Sequence, residues 1–164
     1  MTTNAEIESI EQVAETGLKY FQEIIRLGNL DAAAHVESIV DDTITLEATG
    51  ADAGLLIGRR GQTLHALQYL VLVMLTHSES GSQKFRLVLD ADGYRKRRAE
   101  SLEQLARSLA LQVKQSGEEA VLEPLNAMER RIVHTALMDD QEVETYSEGV
   151  GAERHIVITP RRGA

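Results

Sequence analysis

The chain of 164 residues contains no cysteine, and this absence removes several classes of chemistry at once. A disulfide framework, a thiolate metal site and a cysteine nucleophile are excluded, and a reducing compartment suits the chain. Long apolar runs are also lacking, because LVLVML at 70–75 is far shorter than the roughly 20 residues of a membrane span. The N-terminus is acidic and polar, unlike a signal peptide. We expect a soluble, cytoplasmic protein without membrane insertion.

Catalytic signatures are scarce as well. The acidic residues form no recognisable catalytic pair, and no nucleophile elbow is present. No histidine stands in an H-E-x-x-H or comparable metal-binding spacing; the five are His35, His65, His77, His134 and His155. We predict that the protein is not an enzyme and holds neither a metal ion nor a cofactor.

Aromatic residues are few, with two Phe, four Tyr and no Trp. RRM and OB-fold proteins stack bases on a cluster of exposed rings, and the strands predicted here carry no such cluster. The composition therefore disfavours these two kinds of nucleic-acid platform.

The net charge of −9 is unevenly distributed. Residues 1–56 carry eleven acidic and two basic side chains, which gives −9, whereas residues 57–164 carry fifteen of each sign. The basic residues of the second part are bunched, for example as RKRR at 95–98. Such patches are compatible with a polyanion bound at one face, although a solvated helix face is the simpler interpretation of any single bunch.

Hydrophobic periodicity predicts two units. The first has the order helix, strand, strand, helix, loop, helix, strand. Its segments are a helix over about 6–28, the hairpin of HVESIV and TITLEAT, a short apolar helix, a helix over about 62–76 and the strand KFRLVLD. We predict an α+β fold of two small α/β domains, with residues 1–91 in the first and 92–164 in the second.

The second unit is predicted to open with a helix over about 94–115, capped by Asp92. Pro124 suits the entrance of another helix, over about 125–138, and the strands EVETYS and RHIVITP follow. At about 100° per residue, one apolar stripe is expected on the 125–138 helix, formed by Leu125, Met128, Ile132, Val133 and Ala136.

Two arginines stand between two glycines in the segment Gly58-Arg59-Arg60-Gly61, directly before a predicted helix. Glycines allow a sugar-phosphate chain to approach the backbone closely, and amides at a helix start face phosphates. The spacing fits neither G-x-G-x-x-G nor the phosphate-binding loop of NTPases. A tight turn between two helices is the alternative interpretation.

The segment and the order of elements around it resemble a type II KH domain, with the order αββααβ. The resemblance implies that Arg59 and Arg60 add charge at a phosphate track without reading sequence. It also implies that bases lie in an apolar groove beside the loop, lined by Ile57, Leu64 and Leu67.

Arg130 and His134 stand four residues apart in NAMERRIVHTAL, and this spacing resembles the single-stranded nucleic-acid-binding domain named for Arg-xxx-His. On a helix the two side chains lie one turn apart, off the apolar stripe, where they suit a phosphate and a neighbouring sugar or base edge. We add Arg131 and Arg95, from the basic runs, to the predicted RNA-binding residues. An ordinary solvated helix face is the alternative.

The succession of the Gly-Arg-Arg-Gly loop, YRKRR, ERRIVH and ERHIVITP resembles the bacterial Jag family, also called KhpB, over about residues 10–162. Longer members carry a further N-terminal domain that this sequence lacks. The resemblance implies single-stranded RNA binding as a post-transcriptional or RNA-chaperone-like regulator and a link to cell elongation, envelope homeostasis or sporulation. It also implies a small single-KH partner of the KhpA type, or self-association.

Two rival functions stay open at this point. The first is a protein-protein adaptor that dimerises with another KH protein and keeps only a residual nucleic-acid surface. The second is a regulator that binds single-stranded DNA through the same two motifs.

Overall fold

A computed structural model of the chain describes residues 4–77 and 84–161, with burial assigned from Ile10 onward. The chain divides into two compact units, Met1–Arg95 and Lys96–Ala164. The division falls inside a helix that begins at Tyr94, whereas the boundary predicted from sequence lies between residues 91 and 92. Because the first two residues of that helix bond or pack within the first unit, the division comes later than the end of the preceding strand.

The first unit has the predicted order of elements and confirms the αββααβ arrangement. Its elements are α1 (Asn4–Leu27), β1 (Ala33–Val40), β2 (Thr43–Thr49), α2 (Ala53–Ile57), α3 (Gln62–His77) and β3 (Arg86–Ala91). β1 pairs antiparallel with β2, and β2 pairs parallel with β3, so β2 is central. Fold class and order follow from apolar periodicity, which switches between helical and strand spacing along the chain.

The core of the first unit lies between the sheet and its helices. Paired positions on β2 and β3, such as Leu46 with Leu89, are fully buried. Along α1 the buried positions recur at helical spacing, which turns one face of the helix inward. They are Ile10, Val13, Ala14, Phe21 and Ile25.

The second unit packs two helices with a three-stranded antiparallel sheet in the order β4-β6-β5. Its elements are α4 (Tyr94–Ser116), β4 (Ala120–Val121), α5 (Ala127–Leu137), β5 (Val143–Glu148) and β6 (His155–Pro160). The short strand β4 was not predicted, because two residues carry no readable alternation. In the described part of the chain, no helix is long and apolar enough to cross a membrane.

Helix α5 begins two residues later than predicted, and its inward face differs from the predicted stripe. Leu125 is buried but precedes the helix, and Met128 is 67% exposed. The buried positions within the helix are Glu129, Val133 and Leu137, each four residues apart. The predicted stripe was wrong at Met128 because a buried carboxylate, which periodicity of apolar residues cannot register, occupies the inward position beside it.

Candidate nucleic-acid interface

The loop from Gly58 to Gly61 is a single turn of 3-10 helix between α2 and α3, and it holds three residues at positive φ. Gly58 has φ 67° and ψ −167°, a conformation that only glycine adopts readily. Arg60 is left-handed, with φ 53° and ψ 33°, and Gly61 has φ 79°. The chain therefore reverses direction within four residues and leads directly into α3.

Both glycines are also required by packing within the first unit. A Cβ on Gly61 would lie 2.7 Å from a ring carbon of Tyr94, and a Cβ on Gly58 would collide with the side chain of Thr63. The fold thus needs glycine at both positions whether or not a ligand approaches. What the two glycines add toward a ligand is a backbone surface without side chains beside two arginines.

The arginines of the loop are both exposed. Among the described residues, Arg59 forms no ion pair and no side-chain hydrogen bond. Its guanidinium group is therefore available to an anion without first losing a carboxylate partner. This is the feature expected of a residue that contacts phosphate.

The three predicted groove residues have different environments. Ile57 and Leu67 are partly buried and pack on the core, so part of each side chain reaches the surface beside the loop. Leu64 is only 1% exposed. We therefore assign Leu64 to the core beneath the loop and keep Ile57 and Leu67 as the candidate base-contacting surface.

Arg95 has an internal role that the sequence did not reveal. Its Nε donates to the carbonyl oxygen of Leu89 and its Nη2 donates to Oε1 of Gln68, both at 2.7 Å. Burial lowers the pKa of Arg95, while the carboxylate of Asp90 acts in the opposite direction. The guanidinium ties the start of α4 to β3 and α3, so we assign Arg95 to the framework that supports the loop.

In the second unit, α5 and β5 enclose a shallow cavity of about 470 Å³ that brings the Arg-xxx-His residues together. Arg130, Arg131 and His134 line it from the helix, and Thr145 and Ser147 line it from the strand. Two guanidinium groups and an imidazole beside hydroxyl groups form a surface of hydrogen-bond donors. Such a surface suits phosphate and sugar oxygens.

Arg130 and His134 are each held by one internal hydrogen bond. Nη1 of Arg130 donates to the carbonyl oxygen of Leu125 at 2.7 Å, which leaves its other N–H groups for a ligand. Nδ1 of His134 is hydrogen-bonded to the hydroxyl of Thr145 on β5, so the ring is fixed and Nε2 is left for a ligand. Arg131 is exposed and, among the described residues, has no ion-pair partner.

A buried carboxylate fixes the start of α5. Oε1 of Glu129 accepts a 2.7 Å bond from Nε of Arg98 on α4, and Oε2 accepts from the backbone N–H of Asn126. The Asn126 side chain accepts from the Glu129 N–H in return, which completes a capping box. The sequence signal was present as Asn-x-x-Glu in NAME, and it would have placed the helix start correctly.

Tyr146 does not offer its ring to this cavity. Side chains alternate along β5, and Thr145 faces α5, so the ring of Tyr146 lies on the other face of the sheet with Glu144 and Glu148. Burial raises the pKa of Tyr146, and nearby carboxylates, Glu119 among them, raise it further. The cavity therefore provides cations and hydroxyls but no aromatic platform.

The fold and these two surfaces define a two-domain protein in which a KH domain precedes an Arg-xxx-His domain. Residues 20–89 match the family described as the KhpA/KhpB KH domain, and residues 100–160 match the family of the Arg-xxx-His domain. Among residues 4–77 and 84–161, no group of three His, Asp or Glu side chains could hold a metal ion.

Several relatives carry the name RNA-binding protein KhpB. The chain is 37% identical to the one from Clostridium symbiosum over 93% of its own length and 68% of the relative. It is 41% identical to the one from Bacillus subtilis over 73% of its length and 58% of the relative. The protein from Lactiplantibacillus plantarum is 39% identical over 72% of the chain and 36% of that relative.

The chain belongs to the KhpB family, as its motifs predicted. It spans between about one third and two thirds of the length of these relatives. The relatives are named for binding and not for a reaction, in agreement with the prediction that the chain is not an enzyme.

Proposed function

We propose that the chain binds single-stranded RNA with both units, through the Gly58–Gly61 loop and through the cavity between α5 and β5. The observation that carries the proposal is the convergence of Arg130, Arg131 and His134 in one cavity. The printed names of the relatives support RNA as the ligand. Arg59, with no acidic partner among the described residues, supports a phosphate contact in the first unit.

The finer role follows the family resemblance. We propose a cytoplasmic, post-transcriptional or RNA-chaperone-like regulator linked to cell elongation or envelope homeostasis. A small KhpA-like protein is the proposed partner, in keeping with the family name that pairs KhpA with KhpB.

A protein-protein adaptor is the second candidate, favoured by apolar side chains on α3. Tyr69 is 68% exposed and Leu70 is 46% exposed. Adjacent exposed apolar side chains on one helix suit a protein contact. This function, unlike RNA binding, predicts no dependence on Arg59 and Arg60.

Oligonucleotide length tests whether both units bind one strand. The intact chain should bind a ~15-nucleotide RNA at least tenfold more tightly than a ~4-nucleotide RNA, the footprint of one KH domain, because the second contact becomes intramolecular. Fluorescence anisotropy with DNA of the same sequence in parallel distinguishes RNA from single-stranded DNA. Equal affinity for the two lengths would show that only one unit binds.

Arg130 and His134 should contribute unequally to affinity. Arg130→Ala should weaken binding at every pH and lower the salt dependence by about one phosphate contact, whereas His134→Ala should cost about 0.5 to 1.5 kcal/mol. Neither variant should unfold the unit, although Arg130→Ala loses the bond to Leu125, worth about 1 kcal/mol.

Val133, between them on the helix and fully buried, provides the control. Val133→Ala should lower stability by about 2 kcal/mol and leave the affinity of the folded protein unchanged. Thermal melts and anisotropy titrations on the three variants check these results. If Arg130→Ala leaves both the affinity and its salt slope untouched, the cavity does not bind the strand.

A further inference from the structure

A second cavity of the Arg-xxx-His unit adjoins the one that holds Arg130 and His134. It has a volume of about 320 Å³ and lies between α4 and α5. Glu103 and Arg107 line it from α4, and Met128 and Ile132 line it from α5. Arg131 lines both cavities, so the two are continuous across its side chain. We call the second cavity the α4–α5 groove.

The groove combines cations with an exposed apolar surface. Arg107 and Arg131 are exposed, and among the described residues neither forms an ion pair or a side-chain hydrogen bond. Met128 is 67% exposed at the first turn of α5, a position that does not contribute to the core. A thioether side chain adapts to the face of a flat ring, and guanidinium groups bind phosphate.

Charge favours a polyanion in this groove over an acidic or neutral protein segment. Residues 96–164 contain ten Lys or Arg and twelve Asp or Glu, a net charge of −2. The groove instead carries Arg107 and Arg131 against the single carboxylate of Glu103, a net charge of +1. A local excess of positive charge on an acidic unit attracts phosphate to that place.

We propose that the α4–α5 groove is a second nucleotide subsite of the Arg-xxx-His unit. The inference rests on the proposed RNA binding. A strand bound at Arg130 and His134 passes over α5 at Arg131, places its next phosphate on Arg107 and lays a base against Met128. Glu103 limits the affinity of the subsite, because its carboxylate repels the same phosphate.

Methyl NMR of the intact chain, labelled with ¹³C in the methionine methyl groups, tests the subsite directly. On addition of a ~15-nucleotide single-stranded RNA, the Met128 methyl should shift because a base ring lies against it. Met138, which is 60% exposed at the other end of α5 and outside the groove, is the matched internal control and should not shift. A Met128 methyl that stays in place at saturating RNA would overturn the subsite.

Affinity measurements supply the second arm. Arg107→Ala should weaken binding of the same RNA on the order of 5- to 10-fold, the loss of one charge-assisted contact, and Glu103→Gln should strengthen it about twofold. Arg154→Ala, which removes an exposed arginine outside both cavities, should change affinity less than Arg107→Ala. Unchanged affinity for Arg107→Ala while Arg130→Ala still weakens binding would overturn the subsite alone. Unchanged affinity for both would overturn RNA binding by the Arg-xxx-His unit as well.

Discussion

Replacing Arg59 and Arg60 together by Asp is expected to weaken binding of a ~15-nucleotide single-stranded RNA by about 100-fold or more at low salt. Two phosphate contacts are lost and two repulsive charges are introduced, and each contact is worth about a factor of ten. The fold should persist because both side chains are exposed. Aspartate also tolerates the left-handed conformation found at residue 60. Anisotropy titrations with circular dichroism measure both properties.

A charge-matched control is available in the same unit. Lys84→Asp with Arg86→Asp changes the net charge equally, at exposed positions on the N-terminal side of β3. Tyr94, which packs against Gly61 of the loop, follows the opposite end of that strand, roughly 16 Å further along it. This control should lose much less affinity than the loop variant. Equal losses would mean that only the net charge of the unit matters and that the loop is not the point of contact.

Glu129→Ala is expected to be the most damaging single substitution in the Arg-xxx-His unit, with a loss of about 3 kcal/mol of unfolding free energy. It removes the capping box of α5 and leaves the guanidinium of Arg98 without this carboxylate, although its side chain is only 24% exposed. Because the capping box fixes the start of α5, RNA affinity of the surviving folded protein should fall as well. Chemical denaturation followed by circular dichroism measures the stability loss.

A double-mutant cycle separates the ion pair from simple packing. Arg98→Met with Glu129→Met should be less destabilised than the sum of the two single variants, because no unpaired charge remains in the double variant. Glu100→Ala, at an exposed position on α4, is the control and should change stability by less than about 0.5 kcal/mol. Additive losses in the cycle would show that the Arg98–Glu129 contact contributes little.

Features encoded by local sequence were predictable. The element order of the first unit follows from the change between helical and strand periodicity, and the Gly58–Gly61 loop follows from glycine spacing before a helix. The Arg130 and His134 pair was also found, because four-residue spacing on a helix places two side chains on one side. These inferences need no knowledge of what lies opposite each residue.

Features that depend on contacts distant in sequence were not predictable. Leu64 follows the loop closely, yet it turns into the core beneath it. Arg95 belongs to a basic run, but its guanidinium bonds to Gln68, 27 residues away. Asp92 was the predicted cap of α4, whereas the carboxylate that accepts from the Arg95 N–H belongs to Asp90. In each case a partner from another element decides the role of the residue.

The most direct test of binding by both units is a ¹H–¹⁵N NMR titration of the intact chain with a ~15-nucleotide single-stranded RNA. Two-site binding predicts that amide shifts concentrate at residues 58–62 of the KH unit and at residues 127–134 and 145–147 of the Arg-xxx-His unit, with both sets saturating together. Shifts confined to one set would contradict binding by both units. Shifts in neither set, at RNA concentrations that saturate other parts of the chain, would contradict both surfaces.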